Sequence, residues 1–331
     1  MPNKLFRGYF VYAIVVAIAA SLSACKPPPV ELTPGRFEVI EPARDRAAVD
    51  GLWLIKTGEA TSTDGHLHEG GTKDPVTIPI LCALVRHGDD IVLIDTGLNH
   101  HFAFRPQEYL GGLLKFVAER GYELPKMAEG QDVIAQLARM AITPDMVRHI
   151  VLTHTHFDHT GEIRAFPNAK VWVGKGEKEY LERAFGVSRG VMREDFEGVR
   201  VRELDFTKSP KVLTFGGSRD LLGDGSVLVI PTPGHTPGSI SILVKTKSGD
   251  ILLVGDAAYT MTNIEKPVLI GLATSREQAA DTLTRLHDLR RARTELRIIP
   301  SHDPLIWPAG RSDPWPLHAP SGQPATEDTN P

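Results

Sequence analysis

Between His154 and His159 the chain sets three imidazoles and one carboxylate within six residues: His154-Thr155-His156-Phe157-Asp158-His159. These groups are ligands for a borderline divalent cation such as zinc. From an extended loop His154 and His156 can point the same way, while Asp158 and His159 sit past a bend and can face a second ion. One histidine is often a satisfied core residue; four ligating groups this close together have no packing reason. Three more candidates share the same context, each just after an apolar strand-like run. His235 follows Val227 to Ile230, Asp256 follows Ile251 to Val254, and His302 follows Leu296 to Ile299. The set is five His and two Asp, enough for two ions with a bridging carboxylate.

The elements that must position these residues are legible in outline. His149 to Leu152 is apolar and β-branched and reads as a strand ending at the cluster, where ligands of α/β sheets gather. Pro231-Thr232-Pro233-Gly234-His235 is a stiff loop, and stiffness lowers the cost of holding a ligand in place. Val76 to Val85, a turn at His87-Gly88-Asp89-Asp90, and Ile91 to Ile94 ending at Asp95 form a hairpin. Ile240 to Val244, a turn at Lys247 to Asp250, and Ile251 to Val254 ending at Asp256 repeat it. The repeat predicts two similar halves, each bringing a carboxylate to one edge. A first strand is expected at Gly51 to Thr57, and helices at Asp132 to Met140, from Thr143-Pro144-Asp145, at Lys175 to Ala184 and at Ser275 to Arg293. Glu59 to Asp74 reads as a loop, its His66 and His68 as solvated surface. The aromatic residues Phe102, Phe104, Tyr109, Phe116 and Tyr122 are expected in the core, with Phe102 or Phe104 as an option for a substrate wall. Residues 187 to 225 read as a variable insertion or a lid.

The 331 residues have ordinary globular composition, and a net charge of -4 gives no electrostatic footprint for nucleic acid. Lys4 and Arg7 followed by the apolar run Tyr9 to Ala20 form an export signal too short to span a membrane comfortably. Leu22-Ser23-Ala24-Cys25 resembles the lipobox of bacterial lipoproteins, and Lys26-Pro27-Pro28-Pro29 reads as a spacer off a surface. The expected organisation is a signal peptide at 1–24, a lipidated Cys25 and tether at 25–45, a single domain carrying the ligand cluster at 46–310 and a disordered tail at 311–331. The resemblance implies a membrane anchor through Cys25, at the outer membrane facing the periplasm. An ordinary secretory cleavage site is the alternative. Cys82, the other cysteine, reads as a small core hydrophobe.

The combined pattern His154-x-His156-x-Asp158-His159, His235, Asp256, His302 resembles the signature of metallo-β-lactamase-fold hydrolases over about residues 50 to 307. The resemblance implies an α/β fold, an αββα sandwich of two mixed β-sheets flanked by helices. It implies two divalent ions, zinc, with His154, His156 and His235 on one, Asp158, His159 and His302 on the other, and Asp256 bridging. Asp95 would support the ligands without being one. Two close ions lower the pKa of a shared water, and the hydroxide attacks a carbonyl. Tyr259, three residues after Asp256, looks like the tyrosine that N-acyl-homoserine lactonases use to bind the lactone carbonyl, so Asp158 and Tyr259 are the expected catalytic residues. Tyr259 also fits a core tyrosine with its hydroxyl at the surface. Thr160-Gly161-Glu162 departs from the glycine pair that many relatives carry, and Glu162 either caps a helix or charges the site. The expected substrate is a small lactone or related ester. A β-lactamase, a glyoxalase II-like thioesterase and a lipid-anchored metal-binding or signal-sequestering protein are the alternatives, and the oligomeric state is left open.

Overall fold

The computed structural model describes residues 30, 32–106, 124–183 and 190–319. Cys25, Tyr109, Phe116 and Tyr122 lie outside these residues. Twelve strands are described: β1 (Gly51–Thr63), β2 (Pro75–His87), β3 (Asp90–Ile94), β4 (Val147–Val151), β5 (Lys170–Gly174), β6 (Val201–Leu204), β7 (Arg219–Asp220), β8 (Val227–Pro231), β9 (Ile240–Thr246), β10 (Gly249–Gly255), β11 (Arg297–Pro300) and β12 (Trp315–His318). They form a seven-stranded sheet in the order β12-β1-β2-β3-β4-β5-β6 and a five-stranded sheet in the order β11-β10-β9-β8-β7. The repeat seen in the sequence is topological. In β1-β2-β3-β4 and in β8-β9-β10-β11 the first two pairings are antiparallel and the third is parallel.

Period-two alternation explains the layers. Leu52 and Leu54 of β1 face Val229, Ile242 and Leu253 of the other sheet in the central core. Trp53 and Ile55, one residue out of phase, face the opposite way with Leu84 and Leu93. Among the described residues seven α-helices accompany the strands: α1 (Asp64–Leu67), α2 (His100–Phe104), α3 (Val133–Arg139), α4 (Phe157–Thr160), α5 (Glu177–Arg183), α6 (Met261–Glu265) and α7 (Arg276–Ala292). Val133 and Leu137 of α3 cover the outer face of the larger sheet. Leu283, Leu286 and Leu289 of α7 cover that of the smaller one against Leu243, Leu252 and Ile298. Each such leucine, fully buried, stabilises the fold by roughly 1.5–3 kcal/mol. The layers are helix, sheet, sheet, helix, as expected, and Cys82 is buried among them.

The structure departs from several expectations about the chain. Strand β1 does not stop at Thr57: it pairs with β2 as far as Thr63↔Pro75, and Thr63 then caps α1, its hydroxyl accepting from the His66 N–H. Residues 190 to 225 are built into both sheets rather than looped out, supplying the edge strand β6, paired with β5, and β7, paired with β8. The segment 32–45 is packed rather than loose: the Asp288 carboxylate accepts from the backbone N–H groups of Gly35, Arg36 and Phe37, and Ile40 pairs with Leu213. The tail does not begin at 311, because β12 adds to β1, with Trp315 and Leu317 in the central core and Trp315 edge-on to Trp307. The start at Thr143-Pro144-Asp145 gives only a 3-10 turn, Pro144–Met146.

Candidate metal centre

The cluster leaves the carboxyl end of β4, and His235, Asp256 and His302 leave those of β8, β10 and β11. The expected ligands come together at that rim. One group is His154, His156, His235 and Asp256, the other Asp158, His159 and His302, and all seven are buried. His235 Nε2 lies 3.2 Å from His154 Nε2 and 2.9 Å from His156 Nδ1. Asp256 stands between the groups. Its Oδ2 is 3.2 Å from His235 Nε2 and its Oδ1 is 3.3 Å from His159 Nε2 and 3.2 Å from His302 Nε2. Asp158 Oδ2 is 3.5 Å from His302 Nε2.

In every imidazole the nitrogen facing away from the centre is occupied. His159 Nδ1 meets Asp95 Oδ2 at 2.8 Å, His302 Nδ1 meets Pro79 O at 2.9 Å, and His235 Nδ1 meets Leu272 O at 2.9 Å. His154 Nδ1 meets the Thr153 hydroxyl at 3.1 Å, and His156, whose Nδ1 faces inward, meets the Tyr180 hydroxyl through Nε2 at 3.3 Å. Such outer contacts fix tautomer and ring orientation at metal sites. The inward nitrogens then converge with little to bond. His159 Nε2 is buried and makes no hydrogen bond. Ligand atoms around a tetrahedral zinc ion, each about 2.0–2.1 Å from it, lie about 3.3 Å apart. The observed separations suit that purpose, so the residues fit a pair of divalent ions.

The electrostatics agree. Burial holds His154, His156 and His235 below the usual histidine range, so they are neutral and free to ligate. Burial would lower His159 and His302 too, but Asp256 and, for His159, Asp95 hold both above it. Burial would raise Asp256, yet His302 and His159, followed by His154 and His235, hold it well below the carboxylate range. A cation would take over the role those protons play.

Local structure fixes the rim. Asp95 adopts the left-handed region at φ 61° and accepts from the Thr153 N–H at 2.7 Å and hydroxyl at 2.8 Å, so it supports the cluster without joining either ligand group. Gly255 at φ 52° lets Asp256 pass Thr153, where a Cβ would lie 2.6 Å from the Thr153 Cβ. Gly234 at φ 137° lets the His235 loop touch α7, where a Cβ would lie 2.3 Å from the Ala279 N.

The chain matches the model of the metallo-beta-lactamase superfamily over residues 76–302. The chain belongs to that superfamily. It is 32% identical over 241 residues to the N-acyl homoserine lactonase AttM of Azorhizobium caulinodans, covering 72% of this chain and 86% of that protein. It is 29% identical over 227 residues to an N-acyl homoserine lactonase of a Bacillus species, covering 66% and 80%. Among solved structures it resembles an N-acyl homoserine lactone hydrolase with the product N-hexanoyl-L-homoserine at its catalytic metal center, with TM-score 0.65, 25% identity and coverage of 78% and 95%. The superfamily fold and a metal-dependent hydrolase chemistry agree with the site.

Other residues are placed as follows. Tyr259 is buried beside both ligand groups, its ring 5.7 Å from His235 and 5.6 Å from His302, its hydroxyl 3.4 Å from His235 Nδ1. Phe102 packs with Phe157 and Tyr259 in one apolar cluster, whereas Phe104 is exposed and lies against His100. Glu162 caps α2, its Oε1 accepting from the His100 N–H at 2.7 Å. The reading of His66 and His68 as solvated surface is wrong. His66 stacks on Tyr259 at 5.5 Å, and burial, then the charges of His235 and His302, push its pKa down to about 4. His68 meets Asp64 and the Thr260 hydroxyl, each at 2.8 Å. The His-x-His spacing was the available signal; the missing piece was the extension of β1 that carries the pair to the site. Glu177 and Tyr180 carried no such signal.

Proposed function

We propose that the chain opens the ring of N-acyl homoserine lactones, with two zinc ions held by His154, His156 and His235, by Asp158, His159 and His302, and by Asp256 between them. When bound, such ions supply a Lewis acid for the carbonyl oxygen and a hydroxide nucleophile near neutral pH. The observation that carries the reading is the position of Tyr259 against both ligand groups, next to an apolar shelf of Leu67, Phe102, Phe157, Met192 and Ile270. Its hydroxyl donates to the lactone carbonyl oxygen, and the shelf takes the acyl chain. Ring opening forms a carbon–oxygen bond to water and breaks the ring ester bond, so a proton must reach the leaving ring oxygen. Asp158 carries it. Its side chain is 12% exposed against 5% for Asp256, so it is the more open of the two carboxylates. The AttM lactonase and the product-bound lactone hydrolase support the substrate class. We also infer, from Leu22-Ser23-Ala24-Cys25 alone, that the enzyme is exported and anchored through lipid on Cys25.

The deciding experiment offers metal-reconstituted protein homoserine lactones, a chromogenic β-lactam and a glutathione thioester. The ring-opened N-acyl homoserine is the expected product. Turnover of the β-lactam or thioester with none of any lactone overturns the reading.

A further inference from the structure

Glu177, the first residue of α5, is fully buried, and among the described residues no Lys, Arg or His forms an ion pair with it. A carboxylate taken out of water without a cation is costly unless donors surround it. They do. Its Oε1 accepts from the Thr155 N–H at 2.9 Å and hydroxyl at 2.7 Å. Its Oε2 accepts from the Thr236 hydroxyl at 2.7 Å and the Gly238 N–H at 3.0 Å. Thr155 lies between His154 and His156, and Thr236 follows His235. Each oxygen therefore holds one loop, at the residue adjoining a candidate ligand. The Thr236 hydroxyl also meets the Ser239 hydroxyl at 2.7 Å, which closes the second loop on itself. One turn along α5, Tyr180 touches His156 Nε2. None of these contacts reaches Asp158, His159 or His302, whose supports are Asp95 and the Pro79 carbonyl.

We propose that Glu177 is a positioning residue for one metal position only: by clamping the β4 and β8 loops together it sets the spacing of His154, His156 and His235, and hence the affinity of the ion they hold. The inference rests on the reading that these histidines hold a metal. Glu177 touches no ligand and no reacting atom, and acts through the backbone of both loops. An apolar residue of similar size would fill the space and leave four buried donors unpaired; a glutamine would set an amide donor against a donor at one loop.

The test uses the full chain, stripped of metal and titrated with zinc against a chelator of known affinity, with cobalt absorption as a second readout of ligand geometry. In Glu177→Gln one ion of the two is expected to bind about 10–100-fold more weakly, the range for lost outer contacts at metal sites. The other ion is expected to keep its affinity, and the cobalt spectrum of the weakened site is expected to change. Combined with Asp95→Asn, which acts directly on His159 and reaches His154 only through the Thr153 hydroxyl, both ions weaken. Thr155→Val and Thr236→Val, each removing one hydroxyl, are expected to weaken the same single ion to a smaller degree, and they decide the matter if Glu177→Gln does not fold. Two ions at unchanged affinity in these variants, equal weakening of both ions, or a double variant that still holds one ion tightly overturns the inference. An unaltered chain that takes up no ion overturns the underlying reading instead.

Discussion

Asp95→Asn isolates the proton that lies between Asp95 and His159. The substitution keeps the size, and asparagine tolerates the left-handed backbone found at this position, φ 61°. What changes is one acceptor. With the asparagine oxygen toward the Thr153 N–H, its amino group faces the Thr153 hydroxyl and His159 Nδ1, which lie 2.8 Å from Asp95 Oδ2. The hydroxyl can rotate and accept. His159 can respond only by moving its proton to Nε2, the atom 3.3 Å from Asp256 Oδ1 that is needed as a ligand. The opposite flip leaves the buried Thr153 N–H facing a donor, at a cost of about 1–3 kcal/mol. Either outcome predicts a loss of about 10–100-fold in affinity for the ion at His159, or about 1.4–2.7 kcal/mol. Zinc titration against a chelator reads it directly. Unchanged affinity for both ions, or weakening confined to the ion at His154, His156 and His235, refutes the reasoning.

Tyr259→Phe is expected to keep both ions and to slow lactone opening about tenfold or more; an unchanged turnover rate removes its assigned role. Glu162 has its pKa pushed up to about 7, by burial first, from an ordinary value of 4.5. The folded state then binds the proton more tightly than the unfolded one, so this stabilising contribution is present below 4.5 and lost as pH rises through about 7. Glu162→Gln should reduce the fall in unfolding free energy between pH about 5 and about 8 by on the order of 2 kcal/mol, measured by denaturant titration. Leu286→Ala, at a site with 0% exposure, should lower stability by about 2–5 kcal/mol with two ions still bound. Cys25→Ser should abolish incorporation of labelled fatty acid into the protein expressed in a Gram-negative host, and persisting label would exclude Cys25 as the anchor.

Side-chain chemistry was the most readable part of the sequence, because a metal ligand advertises itself by residue type. His154, His156, Asp158, His159, His235, Asp256 and His302 all follow strands whose apolar runs are unambiguous, so their meeting at one rim was foreseeable. Residues that act through hydrogen bonds were not. Glu177 begins a short helix, where an acid ordinarily favours the exposed first turn; only the tertiary fold turns it inward to Thr155 and Thr236. The far half of β1, Gly58 to Thr63, is rich in Gly, Ser and Thr and looks like a loop until β2 supplies its partners. β12 was hidden by Pro314 and Pro316, which suit an edge strand as well as a loose tail. His66 and His68 read as surface in the sequence for the same reason, since a loop without a strand has nothing to aim them.

Seven buried groups must act together as ligands for the site to hold two ions. The most direct test is the metal content of the purified chain after reconstitution with zinc and removal of loosely held ions. Two ions per chain, falling when His235 is replaced by alanine, is the predicted result. A folded chain that retains no ion, or retains its ions unchanged without His235, contradicts it.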